Sequence, residues 1–372
     1  MNVSISEEQG MLQDSVRKFV QNEVPLTRVR TLAAEPKGLN DELWTRIAEQ
    51  GWLGILIPEA PGGLGMGVQE LAVVCEELGR GAVPGPFVST VLVAKLIAES
   101  GNDAAKAAWL EKLASGLTRG ALALFEESHE IDLSAIATKA IGSNGGLLLN
   151  GKKQIVGDAQ AANLFAVAAR NDDGRLVFCL VEADAPGVTV KPNKLADLTS
   201  RSGNVTFKNV QVSKDAVITK CAEDAYRKML NVANICIAAD CVGGADYIHK
   251  LTVAYVKERT QFGKQVGSFQ AVRHPLVDMF AELEAAKSAT YYSAWALDAN
   301  SPDADAAVAI ARNTATQSYR NVTNGCLQAH GGIGFTWEYD LHIFLKRAKH
   351  NQHLHGSSHD YDEIICKKAL GI

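Results

Sequence analysis

Apolar positions along this chain change their spacing twice. Over about residues 1–118 they recur every three or four residues, and Leu12, Val16, Phe19 and Val20 fall on one helix face. Ser6, followed by Glu7 and Glu8, supplies a helix start with acids at the positive end of the dipole. Leu43, Ile47 and Gly51 predict a second helix after Asn40, and further helices are expected over Val68–Leu78 and Thr90–Ser100. Between them ILIPEAPGGLGMG reads as a Pro/Gly-rich loop. Its glycines (Gly62, Gly63, Gly65, Gly67) lack the Gly-Lys-Ser/Thr and strand–loop–helix context of a phosphate cradle. From about 119 to 220 the runs shorten: GGLLLNGKKQIV, NLFAVAAR, GRLVFCLVE, GVTVKP and GNVTFKNVQV are apolar or alternating and separated by Gly, Asn and Asp. They predict an antiparallel β domain, with turns at Asn150-Gly151 and Asp173-Gly174. From about 221 onward helical spacing returns. Asp224–Glu258 is interrupted only by Gly243 and Gly244, and alanine-rich helices are expected over Val277–Ala299 and Asp303–Leu327. The expected fold is α+β: an N-terminal helical domain (1–118), a middle antiparallel β domain (119–220) and a C-terminal four-helix-type bundle (221–372).

Composition narrows the function classes. The 372 residues are 47% hydrophobic and 21% charged, a soluble globular balance, and the length suits two or three domains of roughly 100–200 residues. A net charge of −5 offers no basic excess for nucleic acid or an anionic membrane. No run of about 18 apolar residues is present to span a bilayer, and the first twenty residues lack a signal-type apolar stretch, so a cytoplasmic location is expected. The seven cysteines are scattered, with no Cys-x-x-Cys pair, and are expected as buried free thiols.

Two blocks in the third zone carry a resemblance. YVKERTQFGK (Tyr255–Lys264) with GSFQAVRH (Gly267–His274), and LQAHGGIGFTWE (Leu327–Glu338), resemble the acyl-CoA dehydrogenase signature in order and depth. The PEAPGGLGMG loop and the SEEQ helix start also fit, so the resemblance covers essentially the whole chain and is weakest in the β domain. It implies an FAD shared across a subunit interface. In the element Arg259-Thr260-Gln261-Phe262-Gly263, Arg259 would contact the FAD diphosphate of a neighbouring subunit and Phe262 would pack nearby. Gln270 would hydrogen-bond the cofactor. The stretch from Gln328 to Gly331 and Gly332 would wrap its adenosine diphosphate half, glycines allowing close backbone approach. Taken singly, Arg259 reads as a solvated helix-end charge and the glycine pair as a turn; the linkage of the two blocks favours the cofactor.

The chemistry implied is α,β-dehydrogenation of an acyl-CoA thioester: a carboxylate takes the α-proton, the thioester oxygen is polarised, and flavin accepts a hydride. The base departs from the pattern. Where some members carry a glutamate before Gly-Thr/Ser-Ser, this chain has His355 before Gly356-Ser357-Ser358; where another branch carries one on the preceding helix, it has Ala233. Asp240 lies seven residues beyond Ala233, nearly two turns and about 10 Å further along. The flavin-facing segments depart too, reading ALFEE (123–127) and QIVGD (154–158); the expected threonine is absent, although Gly157 keeps a backbone N–H.

Three readings follow. The first is a working dehydrogenase with His355 or Asp240 as base and an unusual acyl group, such as a steroid side chain or ring fragment. The second is a base-deficient partner subunit completing the FAD site of an α2β2 assembly. The third is a flavin oxidase or monooxygenase on the same fold. The resemblance implies an acyl-CoA substrate, electron-transfer flavoprotein or a similar acceptor, and a homo- or hetero-tetramer. His350, His353, His355 and His359 cluster without a zinc-type spacing; His355 is expected to line the substrate cavity and the others to sit at a helix end. The five tryptophans are expected in the core. Glu126, Glu127, Glu130 and Asp132 read as a solvated loop.

Overall fold

The computed structural model describes residues 5–127, 131, 133–143 and 145–371. The chain opens with α1 (Glu7–Glu23), α2 (Leu26–Leu32), α3 (Asp41–Glu49), α4 (Val68–Arg80), α5 (Phe87–Glu99) and α6 (Asp103–Ala114). The expected cap at Ser6 forms in full: its hydroxyl accepts from Gln9 N at 3.2 Å, and the Gln9 side chain accepts from Ser6 N at 3.0 Å. Asn40 starts α3 by accepting from Leu43 N at 2.9 Å. The glycine-rich loop folds back on its own chain, and a Cβ at Gly63 would stand 2.1 Å from Ile57 O. The free N–H groups of Val68 and Gln69 at the start of α4 are taken by Asp298. That loop is a structural turn, with its helix terminus already filled.

Among the described residues eight strands follow: β1 (Gly120–Ala123), β2 (Lys139–Ser143), β3 (Gly146–Gly157), β4 (Leu164–Arg170), β5 (Leu176–Glu182), β6 (Val188–Pro192), β7 (Ser202–Ser213) and β8 (Val217–Ile218). They order as β6-β7-β3-β2-β4-β5-β8, with β1 also on β4. The sheet is mixed rather than antiparallel, because β1 and β2 both run parallel to β4. Strand β4 is buried on both faces: Leu164, Ala166 and Ala168 join the helical core, while Phe165, Val167 and Ala169 pack within the sheet layer. Asp173-Gly174 turns as expected, with Gly174 N donating to Asn171 O at 2.9 Å. Asn150-Gly151 does not turn. Strand β3 runs through it at a bulge, where the Asn150 side chain accepts from Asn209 N.

The C-terminal part contains α7 (Ala222–Glu258), a hairpin of β9 (Thr260–Gln261) and β10 (Lys264–Gln265), α8 (Gln270–Asp298), α9 (Ala304–His330), α10 (Leu341–Asn351) and α11 (Ser358–Leu370). Helix α7 runs unbroken for 37 residues, about 55 Å. Its first half belongs to the core shared with α4, α5 and the sheet, and its second half to the core of the C-terminal bundle. Gly243 and Gly244 do not interrupt it; they permit contact. A Cβ on Gly243 would stand 1.8 Å from Glu76 O of α4, and one on Gly244 would stand 2.4 Å from the Tyr319 hydroxyl of α9. Gly79 of α4 approaches the Asp240 backbone in the same way. These contacts fix where Asp240 sits. Helix α8 starts at Gln270 and runs through Pro275, earlier than its alanine-rich stretch predicted.

Candidate functional site

The predicted residues fall in two places. The first is a cavity of about 160 Å³ lined chiefly by α5, the β3 end, α7 and α10. Val88, Leu92, Leu122 and Ile237 form its apolar wall, and Ser89, Asp158, Asp240, Arg347, His350 and His355 its polar one. Both candidate bases therefore line one space. Gly157 lies beside them, and a Cβ there would meet nothing within 4 Å, so the backbone is open to a ligand.

Asp240 is fully engaged. Arg347 Nε reaches its Oδ1 at 3.0 Å and its Oδ2 at 3.2 Å, and Arg347 Nη2 pairs with Oδ2. Asn351 adds a donor to Oδ1 at 2.7 Å. Burial works against the Arg347 charge, but Asp240 outweighs it and holds the guanidinium protonated. Arg347 Nη1 also donates to Thr199 at 2.7 Å, tying α10 to the segment before β7.

His355 lies between α10 and α11 with a left-handed backbone, φ 53°. Arg312, buried on α9, shapes this turn by donating to Asn351 O at 2.7 Å and Leu354 O at 2.9 Å. It stacks over the Tyr361 ring at 5.5 Å, and the Tyr361 hydroxyl donates to His355 O. Burial pushes the His355 imidazole down to about 4, helped by the charge of Arg312 and by His350. It is therefore a neutral ring at neutral pH. Its Nδ1 has no hydrogen-bond partner among the described residues. His350 shares the cavity, whereas His353 and His359 are exposed.

Asp158 belongs to the site as well, which sequence reasoning missed. It follows Gly157, has a left-handed backbone (φ 54°), and its Oδ2 accepts from Ser89 at 2.7 Å. Burial raises its carboxyl to about 6 against the opposing pull of Ser89, Arg201 and Arg347. Its partner lies 69 residues away, so no local motif betrays the pair. Asp240 did carry a signal: a lone carboxylate inside NICIAADCVGG predicts a buried cation opposite it.

The acidic segment needs correction at Glu126. It is not solvated. The wholly buried Lys153 ammonium bonds it at 2.8 Å, and Ala137 N, Thr138 N and the Thr138 hydroxyl donate to it. Burial favours the neutral acid, but these donors hold the carboxyl at about 2. Glu130 and Asp132 lie outside the described residues. The thiols are free as expected, five buried but Cys221 and Cys366 exposed. Trp44 and Trp52 are core, whereas Trp337 is 59% exposed and stacks on His342.

The second place is a solvent-facing patch where α7 and α9 end together. Tyr255 and His330 stack at 4.2 Å, joining the two helix ends; Arg259 follows one turn beyond Tyr255, and Gly331 directly follows His330. The two sequence blocks thus meet in space. Arg259, Gln261, Phe262, Gly263, Gln270, Gln328, Gly331 and Gly332 are all exposed. Phe262 and Gly263 form the two-residue turn of the β9–β10 hairpin, with φ 53° and 74°. Such turns need positive φ at both positions, which suits Asn or Gly; phenylalanine pays about 1–2 kcal/mol there. Its ring is nevertheless 92% exposed, leaning edge-on toward Phe269. Gly331 ends α9 at φ 63°, and a Cβ on Gly331 or Gly332 would meet nothing within 4 Å. Open glycine backbone, an exposed arginine with no ion pair among the described residues and a bare aromatic have the chemistry a diphosphate nucleotide needs.

Comparison with known proteins bears on both places. The patterns described as acyl-CoA dehydrogenase N-terminal, middle and C-terminal domains match residues 6–117, 121–210 and 224–370. An acyl-CoA dehydrogenase of Bacillus subtilis is 30% identical, covering 99% of each chain. The Tcur3481–Tcur3483 steroid ACAD variant is 29% identical, covering 99% of each chain with a TM-score of 0.88. A chain of the ChsE4–ChsE5 complex from Mycobacterium tuberculosis is 26% identical, covering 100% of each with a TM-score of 0.91. With three consecutive domain matches, a sequence relative along its whole length and the same fold, the chain belongs to the acyl-CoA dehydrogenase family.

Proposed function

We propose that this chain is a subunit of an FAD-dependent acyl-CoA dehydrogenase, working in an oligomer on a CoA thioester. The observation that carries this is the Tyr255–His330 stack, which joins the ends of α7 and α9, with Arg259–Gly263 and Gly331–Gly332 exposed just beyond it. In the lone chain these groups face solvent, as residues completing a neighbour's site must. Arg259 would hold the diphosphate, Gly331 and Gly332 would admit it to the backbone, and Phe262 and Gln270 would contact the rest. The Gly157 rim of the cavity is where the chain's own flavin ring would lie. FAD, when bound, supplies the hydride acceptor. The cavity residues orient the thioester, exclude water and hold the proton. Electron-transfer flavoprotein or a similar acceptor is the partner the family resemblance suggests.

The test is flavin retention. Arg259→Gln removes a charged contact worth about 1.5–3 kcal/mol, so FAD should bind about 10- to 100-fold more weakly with circular dichroism unchanged. Wild-type retention by Arg259→Gln would refute the grip. A second reading, the partner subunit of an α2β2 assembly, draws support from Ala233 and His355 at the carboxylate positions and from the likeness to the ChsE4–ChsE5 complex. Co-expression with a neighbouring homologue separates the two: a fully loaded, active homotetramer excludes the second.

A further inference from the structure

Among the described residues two carboxylates line the cavity, and they differ in what remains of their bonding capacity. Asp240 spends both oxygens on Arg347 and Asn351. To take a proton it would have to release a buried guanidinium, leaving that cation uncompensated. Asp158 spends one oxygen. Its Oδ2 is held by Ser89, and its Oδ1 accepts no hydrogen bond among the described residues. Its left-handed backbone swings the side chain across the β3 end toward α5, beside the open Gly157 position.

We propose that Asp158 is the proton acceptor of this cavity, taking the α-proton of a bound acyl thioester through Oδ1. This deepens the dehydrogenase reading and rests on it. The step balances within the protein and substrate: the α-carbon C–H bond breaks, its proton forms an O–H bond with Asp158, and the electron pair stays on the α-carbon, delocalised onto the thioester oxygen. The neutral His355 ring, an N–H donor on the same polar wall, is suited to receive that oxygen. Ser89 is a positioning residue, fixing Oδ2 so that Oδ1 is presented. The charged and titratable groups sharing the cavity are Arg201, Arg347, Asp240, His350, His355 and the Cys236 thiol. A carboxyl near 6 is well matched to taking a proton at neutral pH, and an imidazole near 4 is not.

The experiment separates proton removal from oxidation. Phenylacetyl-CoA has acidic α-hydrogens, but its β-carbon is a ring carbon with no hydrogen to give. Flavin-loaded protein is incubated with it in D2O, and deuterium at the α-carbon is followed by NMR. Wild type should catalyse exchange, Asp158→Asn should lose it by at least about a hundredfold, and formate should restore part of it in Asp158→Ala. Exchange by Asp158→Asn within threefold of wild type would overturn the assignment. So would a flavin-loaded wild type that binds phenylacetyl-CoA without exchanging it, and that result leaves the dehydrogenase reading standing. Failure to bind flavin or CoA thioester in any assembly would remove both. Circular dichroism of both variants guards against misfolding, and rescue by formate is not something a structural role would show.

Discussion

Replacing Asp158 by asparagine should make the protein more stable at neutral pH, by an amount that depends on pH in a predictable direction. Asparagine keeps the shape and can still accept from Ser89 through its carbonyl oxygen, so the exchange removes little but the titrating charge. Burial raises the folded-state carboxyl from 3.8 to about 6. A carboxyl raised in the folded state contributes stability that is complete below about 3.8 and is lost as pH rises through about 6. The difference corresponds to roughly 3 kcal/mol above about pH 7, of which about half disappears between pH 5 and 7.5. The uncharged variant has no such loss. Urea unfolding of both proteins at matched concentration, at about pH 5 and pH 7.5, reads the change in their stability difference. The advantage of Asp158→Asn should grow by about 1–2 kcal/mol from the lower pH to the higher. A constant difference, or one that shrinks as pH rises, would show that Asp158 is an ordinary solvated carboxylate, and the case for it as a poised proton acceptor would weaken with it.

Other outcomes follow from the packing. Gly243→Ala drives a Cβ into Glu76 O, a backbone atom that cannot step aside; a loss of about 3 kcal/mol or an insoluble product is expected, read by unfolding midpoint and soluble yield. Lys153→Met leaves Glu126 without its cation and should cost about 3–5 kcal/mol, part of it recovered in the double variant with Glu126→Gln; unfolding of the four proteins of that cycle checks it. Arg347→Met should cost a similar amount by stranding Asp240, and should loosen the cavity, measured by unfolding and by the affinity for acyl-CoA. Phe262→Asn should raise thermal stability slightly, because asparagine suits the left-handed turn, while weakening FAD retention; stability and flavin content moving together would contradict a functional reason for the phenylalanine.

The sequence by itself determined the succession of zones and the residue types that gather where α7 and α9 end. Ser6 and Asn40 start their helices because capping is local, and β3, β4, β5, β6 and β7 fall on the apolar runs because side-chain period is local too. The two blocks at Arg259 and Gly331 were legible as motifs. Tertiary structure decided what depends on distant partners. Strand β1 lies parallel to β4, a pairing that four short residues cannot announce. Asn150-Gly151 is held open as a bulge because β7 bonds across it, overriding its turn preference. Gly243 and Gly244 look like breakers and act as contact surfaces, since the neighbouring helices supply what an isolated helix would lack. The same holds for charge. Glu126, Asp158 and Asp240 are similar letters in the chain, yet one is locked by a lysine, one by an arginine, and one keeps an oxygen that accepts no hydrogen bond among the described residues. A carboxylate's role is set by the partners within a few ångströms of it, and those partners come from segments tens to more than a hundred residues away.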